Sequence, residues 1–489
     1  MENKELIIKG LNHAATIIVS SLGPKGQKVA LVNPHGGKSY ISQDGVNIAR
    51  FLPTTIHNAF ERFGAELLKD AASRTVQAGG DGTTTTCLLA RNIIEATSNA
   101  DKSIAPKLRE LAEQAVEKIK EISKAPSEDE LIHMATVASR HRDDIGEMIA
   151  KLIWELGPDA HIESFPSSET SVKIKKGYEI GTGMLLPTFW RYGAKHPSVS
   201  VKPSNITLIN PYVLLIEEKI SDHTILVNAL TKYKQKDNGV YSRPLVLVVS
   251  DIDGQALQTL SYNFAEGNIP VFPIKAPSAG MGRIDILDDL HSGCGGNVYS
   301  TYNNHKFKNF DGNFGEAELV TIYPDTSLFM FKDKYTMNVN ARAEKITDEE
   351  RKSKLTKGVG VINIGGSTDV EHEELKEVVE DVVLATQASL KNGVVPGGGY
   401  PFTIDFGFEE SEASKIILEA FKEVFATLTK DVKVPKGKGV FNIMTGKWED
   451  PATTSILDSR LSVTEAITNS VSLACELLAT NYAIVNVGR

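Results

Sequence analysis

The amino-acid sequence predicts a multidomain protein of the α and α/β classes, with helices at both ends of the chain and an α/β segment in the centre. Residues 5–22 and 105–123 place apolar side chains at helical spacing, and residues 461–482 do the same near the other end. The centre contains short continuous apolar runs at 212–216 and 245–249 instead. Such runs, separated by helical stretches, favour parallel strands that are buried on both faces.

The remaining elements are predicted from the glycines and caps that end helices and strands along the chain. Four residues with three glycines, Gly79 to Gly82, separate two predicted helices. A strand flanked by glycines at 358–366 leads into a long helix at 370–392, which ends at Asn392-Gly393, a favourable C-terminal cap. The other predicted elements are a strand at 271–274 and helices at 60–78, 83–98, 222–235, 253–266 and 414–430. Because both ends are helical, we expect one helical domain built from both termini, with the α/β domain inserted between them.

Length and composition exclude several classes of protein. The chain has 489 residues, which corresponds to roughly three domains of about 150 residues each. It carries 53 Lys and Arg against 62 Asp and Glu, a net charge of −9, which disfavours nucleic-acid binding. The three cysteines are far apart, which argues against a disulfide framework or a cysteine zinc site and is typical of a reducing cytosol. No apolar stretch of about 18 residues predicts a membrane span.

The segment from Gly79 to Thr86 is the most informative motif. Its glycines allow backbone N–H groups to converge on an anion, and its threonines begin a helix whose dipole favours phosphate. Asp81 offers the hard oxygen ligand that Mg²⁺ prefers. The alternative is a turn whose threonine caps the helix, and local composition does not decide between the two.

Four further positions are weaker candidates when taken alone. Leu22 to Gly26 is a glycine-containing loop that follows a helix, and it could approach phosphates or simply form a helix C-cap and turn. Gly397 to Gly399 is a run of three glycines, which could approach a ligand or simply serve a crossover between domains. Asp44 lies in a turn, where an Asx turn is the alternative. Asp381 lies within an apolar stretch of helix, which is costly unless the carboxylate is paired or functional.

Taken in order, these segments resemble the group I chaperonins, the GroEL-like proteins. The similarity runs from about residue 5 to the C-terminus, and the ordered set is far more specific than any one motif. It is carried by the segments Leu22–Gly26, Asp44-Gly45, Gly80–Thr85, Lys219–Ser221, Ile274–Pro277, Val379–Asp381, Gly393–Gly399 and Ile456–Asp458.

The resemblance implies a GroEL-like chaperonin with a helical equatorial domain, a small intermediate domain and an inserted α/β apical domain. The equatorial domain would comprise residues 1–120 and 393–489. The intermediate domain would comprise residues 121–175 and 360–392, and the apical domain residues 176–359.

The resemblance also implies an ATPase that needs Mg²⁺. Asp381 would orient the attacking water, with Asp44 nearby, and Asp81 would hold the metal ion. The nucleotide would be bound by Ser21, Leu22, Gly23, Pro24, Gln43, Asp81, Gly82, Thr83, Thr84, Thr85, Gly398, Asn442 at the base and Asp458 at the ribose.

The implied function is that of a chaperone that captures non-native polypeptides on apolar apical surface and promotes their folding inside a homo-oligomeric ring. The two apical helices carry more apolar side chains than one buried face needs, although about half of these could fill the core. The expected client-binding residues are Phe189, Val227, Leu230, Leu257 and Tyr262. The same surface would receive a co-chaperonin, and we expect the protein in the cytoplasm.

The sequence departs from the family pattern in several places. The short N-terminal strand and the glycine-methionine tail of the bacterial proteins are expected to be missing, and the segment at about 425–442 is short. Since that segment makes contacts between rings in the family, a single ring of seven subunits is as reasonable a hypothesis as a double ring. Gln43 replaces a lysine, Pro396 replaces a small residue, and Thr188 and Ser261 stand at apical positions that are usually apolar. We interpret the chain as a compact, divergent member of a kind that a virus could encode.

Two other functions remain as alternatives. A passive holder would bind clients with little ATP turnover, which the acids at 44, 81 and 381 argue against. A small-molecule kinase or ligase that uses Mg-ATP would need a separate substrate pocket with a nucleophile or base, and the sequence offers no such motif.

Overall fold

The structure, a computed structural model, describes residues 2–33, 39–98, 100–139, 142–191, 196–202, 204–236, 239–267, 269–302, 305–366, 368–430 and 432–480. The α-helices in these ranges are α1 (Glu2–Val19), α2 (Gly45–Phe51), α3 (Ala59–Gly79), α4 (Thr83–Thr97), α5 (Ala105–Glu121), α6 (Glu128–Ala138), α7 (Asp143–Leu156), α8 (Thr188–Arg191), α9 (His223–Lys236), α10 (Gly254–Ala265), α11 (Gly280–Cys294), α12 (Thr336–Ala343), α13 (Glu349–Lys357), α14 (Asp369–Asn392), α15 (Glu412–Leu428) and α16 (Arg460–Ala479).

The strands of the same ranges are shorter than most of the helices. They are β1 (Val29–Leu31), β2 (Tyr40–Ser42), β3 (Ile162–Pro166), β4 (Ser171–Lys175), β5 (Gly177–Ile180), β6 (Val199–Val201), β7 (Ile206–Ile209), β8 (Tyr212–Ile220), β9 (Leu245–Ile252), β10 (Val271–Lys275), β11 (Val298–Tyr299), β12 (Gly315–Glu316), β13 (Leu319–Ile322), β14 (Ser327–Met330), β15 (Val359–Ile364), β16 (Val394–Pro396), β17 (Val440–Asn442), β18 (Lys447–Glu449) and β19 (Leu457–Ser459).

The chain divides into two compact units. Unit 1 comprises Met1–Asp159, Pro166–Val172 and Asn363–Arg489, and unit 2 comprises Ala160–Phe165 and Lys173–Ile362. Unit 1 is therefore assembled from both ends of the chain, and unit 2 from its centre. The finer division into three domains stays a prediction.

Unit 1 is a helical assembly around one apolar core. Helix α4 is buried on nearly every side, because α1, α3, α15 and α16 all pack against it. Its residues Leu88, Leu89 and Ile93 are completely inaccessible to solvent. Two small antiparallel pairs, β16 with β19 and β17 with β18, connect the C-terminal helices of this unit. The central position of α4 fixes the direction in which its N-terminus points.

Two sheets with different topologies lie wholly within unit 2. Strands β10, β9, β8 and β11 are parallel in that order, with β12 antiparallel to β8, and α9, α10 and α11 connect the parallel strands. Strands β8 and β9 are continuously buried over Tyr212–Ile216 and Leu245–Val249, as expected for strands covered on both faces. A second, antiparallel sheet has the order β5-β14-β13-β7-β6.

Most predicted helices lie within three residues of their observed bounds. The helix predicted at 5–22 begins and ends three residues earlier, and the helix predicted at 461–482 ends at Ala479, with residues 481–482 outside the described ranges. The antiparallel sheet of unit 2 was not predicted, because its strands have only three or four residues and lack a sustained alternation of apolar and polar side chains. Within the ranges that the structure describes, none of the helices has the length and apolarity needed to cross a membrane.

Candidate functional site

The turn between α3 and α4 brings an acidic residue to the start of a buried helix. Gly80 has φ of 75° and Gly82 has φ of 95°, so both lie in the left-handed region that favours glycine. A Cβ atom on Gly80 would lie 2.2 Å from the backbone N of Ala385 in α14, which is closer than any side chain allows. The turn is thus pressed against α14, and Asp81 is held between the two glycines with an exposed side chain.

Helix α4 begins without a side-chain cap. Gly82 occupies the N-cap position, and no side chain accepts a hydrogen bond from the first backbone N–H groups of the helix. Thr86 turns inward, where its hydroxyl donates to the carbonyl of Gly82 at 2.9 Å. Thr83 is buried, whereas Thr84 and Thr85 are half-buried. An uncapped N-terminus of this kind favours a phosphate, since its N–H groups and dipole both attract an anion.

Two further carboxylates reach the same place from other segments of unit 1. Asp44 caps α2, accepting hydrogen bonds from the backbone N–H groups of Val46 and Asn47 at 3.2 and 3.1 Å. Asp381 lies on α14, one helical turn before Ala385, the residue that Gly80 contacts. Contact between the glycine turn and α14 is therefore what brings Asp381 towards Asp81.

Asp458 lies on β19, which pairs with β16 so that Val395 stands opposite it. A Cβ atom on Gly397 would lie 2.8 Å from Oδ1 of Asp458, so only glycine leaves room for this carboxylate. Burial and, to a smaller extent, the charge of Asp81 raise the pKa of Asp458 to about 7. Among the described residues no group donates a hydrogen bond to the Asp458 carboxylate, which is consistent with its high pKa.

These four carboxylates line one cavity of about 190 Å³ in unit 1. Its other polar lining groups are Thr83 and Ser459. Its apolar wall is formed by Val46, Val76, Met134, Val137, Ala138, Ala385 and Leu457. Within the described ranges no group of three or more His, Cys, Asp or Glu side chains is arranged to hold a metal ion by itself. The donor set nevertheless fits Mg²⁺ that arrives with a nucleotide, because phosphate oxygens would complete the shell around Asp81.

The structure places some of the predicted nucleotide-binding residues outside this lining. They are Ser21, Leu22, Gly23, Pro24, Gln43, Thr85, Gly398 and Asn442, while Gly82 and Thr84 adjoin lining residues along the chain. The side chain of Gln43 stabilises the preceding glycine loop, because its Nε2 donates a hydrogen bond to the carbonyl of Gly26 at 2.9 Å. The Asn442 amide is used within its own hairpin, accepting from the N–H groups of Met444 and Thr445 and donating to Glu449.

Sequence reasoning missed the apolar wall and Ser459. Met134, Val137 and Ala138 lie on α6, whose apolar periodicity resembles that of any packed helix. No pattern distinguishes a side chain that faces a cavity from one that faces the core, so these residues could not have been assigned from sequence. Ser459 follows Asp458 directly, and its adjacency to that residue was the one available signal.

The predicted client-binding residues of unit 2 fall into two groups. Val227 and Tyr262 are exposed, at 42% and 66%, and Leu230 and Leu257 are partly buried against the core. These four side chains lie on α9 and α10, which pack against each other. Phe189 requires a correction, because it is only 1% exposed and packs edge-on against Phe264 with ring centroids 5.0 Å apart. It belongs to the core of unit 2 rather than to a surface.

An ionic cluster lies elsewhere in unit 2. The ring nitrogens of His161 lie 3.1 Å from Oε1 of Glu163 and 3.3 Å from Oε2 of Glu179, and the Tyr323 hydroxyl donates to Glu163 at 2.7 Å. Burial lowers the pKa of His161, but the hydrogen bonds and charges of the two glutamates outweigh it and raise the pKa to about 9. The histidine is therefore charged at neutral pH and joins β3 to β5.

The profile of the TCP-1/cpn60 chaperonin family matches residues 14–403, so the chain belongs to that family, and the predicted chaperonin identity and fold class are confirmed. Its members act as chaperones, which supports a chaperone function for this chain.

Two solved structures have the same fold over nearly the whole chain. Both are of the chaperonin gp146 from the bacteriophage EL 2 (Pseudomonas aeruginosa) in the presence of ATP-BeFx, and both are 19% identical to this chain. Crystal form II has a TM-score of 0.67 and covers 98% of this chain and 97% of gp146. Crystal form I has a TM-score of 0.62 and covers 99% and 98%. The chain is thus a divergent chaperonin whose fold is similar to that of a phage protein.

Proposed function

We propose that this chain is an ATP-dependent chaperone, which hydrolyses ATP in the cavity of unit 1 and captures non-native polypeptides on unit 2. One observation carries the proposal. Four carboxylates from four separate segments line the same cavity as the uncapped N-terminus of α4. A stable fold gains nothing by bringing like charges together in a partly buried place, so a cationic or metal-bound ligand is the natural explanation.

The nucleotide would bind with its phosphates at the start of α4. The backbone N–H groups of Thr83, Thr84 and Thr85 would be the donors, since the N–H of Gly82 already donates to Oδ1 of Asp81, and Asp81 would hold Mg²⁺. Mg²⁺ would neutralise phosphate charge and polarise the transferred phosphoryl group. The Asp458 carboxylate, which also lines the cavity, would accept hydrogen bonds from the ribose. Ser21, Leu22, Gly23, Pro24, Gly398 and Asn442 stay predictions from the resemblance.

Hydrolysis would depend on Asp381 more than on Asp44. The Asp44 carboxylate already accepts two backbone hydrogen bonds as the cap of α2, which restricts its orientation. Asp381 lies on the side of a long helix and faces the cavity, where its carboxylate could orient a water molecule for attack on the terminal phosphate. Positioning and charge neutralisation supply most of the catalysis of phosphoryl transfer.

Steady-state phosphate release from Mg-ATP tests this proposal. We expect Asp381→Ala to lower turnover by roughly 100-fold while ATP still binds, since the variant removes the group that orients water and leaves the phosphate site intact. Asp381→Asn should be nearly as impaired, because the amide keeps the shape and loses the charge. Unchanged turnover in both variants would contradict the assignment. No turnover by the wild type, with client capture retained, would favour the passive holder.

Client capture would use the apolar surface of α9 and α10. Val227, Leu230, Leu257 and Tyr262 give these helices accessible apolar area that the core of unit 2 does not bury. Apolar surface on two adjacent helices can bind the exposed hydrophobic segments of non-native chains without selecting a sequence. A co-chaperonin that binds the same surface would compete with the client.

The working form would be a homo-oligomeric ring in the cytoplasm. Seven subunits of 53.2 kDa form an assembly of about 372 kDa, and a double ring has twice that mass. Native mass measured with and without Mg-ATP should fall near one of these values. A mass near 53.2 kDa under every condition would exclude a cage.

A further inference from the structure

Ser462 lies in the first turn of α16 and contacts the end of α3, the helix that leads into the acidic turn of the cavity. It is only 5% exposed, and its hydroxyl donates to the carbonyl of Gly79 at 2.8 Å. Gly79 is the last residue of α3, where a helix leaves its carbonyl groups without a partner inside the helix. The Ser462 hydroxyl therefore binds the C-terminus of α3 where the chain turns towards Asp81.

Ser462 also packs against both ends of that turn. A Cβ atom on Gly79 would lie 2.5 Å from Oγ of Ser462, and one on Gly82 would lie 3.1 Å from the Ser462 carbonyl oxygen. Gly80, between them, is pressed against the backbone of α14. The turn is thus held between α16 and α14, and Ser462 supplies the side-chain hydrogen bond on the α16 side.

The position of this turn determines the position of the Asp81 carboxylate. Asp81 has an exposed side chain, and its Oδ1 accepts a hydrogen bond from the N–H of Gly82 at 2.6 Å, within the same turn. The carboxylate is therefore oriented by the backbone around it. A shift of the end of α3 would move the carboxylate with the turn.

Helices α3 and α16 are also joined by contacts that do not involve Ser462. Two turns further along α16, Nδ2 of Asn469 donates to Oγ1 of Thr75 at 3.1 Å. Val463 of α16 and Ala72 of α3 belong to one apolar core. Removing the Ser462 hydroxyl should therefore leave the two helices packed and loosen only the end of α3.

We propose that Ser462 is a positioning residue for the metal site, whose hydrogen bond to Gly79 holds the turn so that Asp81 can bind the Mg²⁺ of the nucleotide. This inference rests on the proposed function, since it concerns the same site. Mg²⁺ requires nearly ideal octahedral geometry, so a carboxylate on a loosened turn binds it less tightly. Because α16 follows directly after β19, the same hydrogen bond joins the segment of Asp458 to the turn of Asp81.

Binding of a non-hydrolysable ATP analogue, AMP-PNP, tests this role without relying on turnover. Calorimetry on the assembled wild type and on Ser462→Ala gives dissociation constants in excess Mg²⁺ and in EDTA, and the ratio of the EDTA value to the Mg²⁺ value is the Mg²⁺ ratio. We expect Ser462→Ala to lower the Mg²⁺ ratio roughly 5- to 10-fold, the effect of one hydrogen bond, and to leave binding in EDTA within about twofold.

The Mg²⁺ dependence of phosphate release provides a second measurement. In Ser462→Ala the Mg²⁺ concentration that gives half-maximal turnover should rise by a similar factor. The kcat at saturating Mg²⁺ should stay within about twofold of the wild type, because excess metal ion compensates for a weaker site.

Ser470→Ala is the matched control. Ser470 is also fully buried on α16, and its hydroxyl donates to the carbonyl of Ile467 at 3.0 Å. It lies about 12 Å from Ser462 along the helix, at 1.5 Å per residue. Each variant loses one buried hydrogen bond from a hydroxyl to a carbonyl, so both should lower the unfolding midpoint without nucleotide. Only Ser462→Ala should change the Mg²⁺ ratio.

A double-mutant cycle with Asp81→Asn tests whether Ser462 acts through the Asp81 carboxylate. Once that charge is removed, Ser462→Ala should lower the Mg²⁺ ratio no further. An equal reduction in both backgrounds would overturn the inference. So would an unchanged Mg²⁺ ratio in Ser462→Ala, or an equal loss of affinity with and without Mg²⁺, which would assign Ser462 to the fold. A wild type that does not bind the analogue, or binds it no more tightly with Mg²⁺, would instead contradict the proposed function.

Discussion

Replacing Asp458 by asparagine should stabilise the nucleotide-free protein, and more so at high pH. Burial raises the pKa of this carboxyl from 3.8 to about 7, so ionising it in the folded state costs free energy. At 1.36 kcal/mol per pKa unit, the cost is about 4 kcal/mol above pH 7, as an upper bound. Because the folded-state pKa is raised, the folded chain binds the proton more tightly, and stability falls as pH increases from about 4 to about 7.

The expected gain for Asp458→Asn therefore depends on pH. At pH 5 the carboxyl is mostly protonated in the folded state, and the cost that the variant removes is about 1.5 kcal/mol. At pH 8 the variant removes the full cost of about 4 kcal/mol. Any effect of the new amide on packing is the same at both pH values, so the difference between the two gains isolates the charge.

Thermal unfolding of the nucleotide-free wild type and variant at pH 5 and pH 8 measures this difference. For a unit of this size, the unfolding midpoint is expected to rise by about 2 °C for each kcal/mol gained in the free energy of unfolding. Asp70→Asn is the control, since its side chain is 59% exposed on α3 and should change the midpoint by less than about 1 °C. An equal gain at both pH values, or a loss at pH 8, would refute the argument. ATP affinity should fall in Asp458→Asn although the protein is more stable.

The remaining predictions concern three other features. His161→Gln should lose less stability than the wild type as pH rises from 7 to 10. The protonated His161 stabilises unit 2, and this contribution is lost as pH rises through its pKa of about 9. Equal losses of stability in thermal unfolding of the two proteins would contradict this. Leu230→Ser combined with Leu257→Ser should abolish co-sedimentation of an unfolded client and leave phosphate release within about twofold, whereas undiminished capture would place the client site elsewhere. Gly80→Ala should lower the unfolding midpoint strongly, since the new Cβ would lie 2.2 Å from the backbone of α14. Gly181→Ala is the control and should be neutral, because there is open space where its Cβ would be. Similar midpoints for the two variants would argue against the close contact.

The sequence predicted most of the long helices of unit 1 because their apolar periodicity is long and glycines mark the ends of α3 and α14. It did not predict α2, α6 or α7 of the same unit. It also brought Asp44, Asp81, Asp381 and Asp458 into one hypothesis, although that step relied on resemblance to a family. The residues alone left Asp44, Asp81 and Asp381 with ordinary explanations, such as an Asx turn, a flexible turn or a solvated helix side chain, and gave no reason to single out Asp458. Only the packing of Gly80 on α14 and of Gly397 on Asp458 explains why these carboxylates meet.

Other features were not predictable because they depend on three-dimensional packing. Phe189 is an aromatic residue in a region of surplus apolar groups, and nothing local distinguishes an aromatic that binds a client from one that fills a core. Its edge-on contact with Phe264 depends on elements far apart in the sequence. The pKa of Asp458 likewise follows from burial and from Asp81, which lies hundreds of residues away in the chain.

The central claim is that ATP hydrolysis in unit 1 supports protein folding by the assembled chain. The most direct measurement is the yield of active enzyme recovered from a chemically denatured, aggregation-prone client, with wild type or Asp381→Ala, in the presence and absence of Mg-ATP. The account predicts recovery only with wild type and Mg-ATP, while both proteins suppress aggregation by capturing the client. Equal recovery with Asp381→Ala, or recovery that does not depend on ATP, would contradict it.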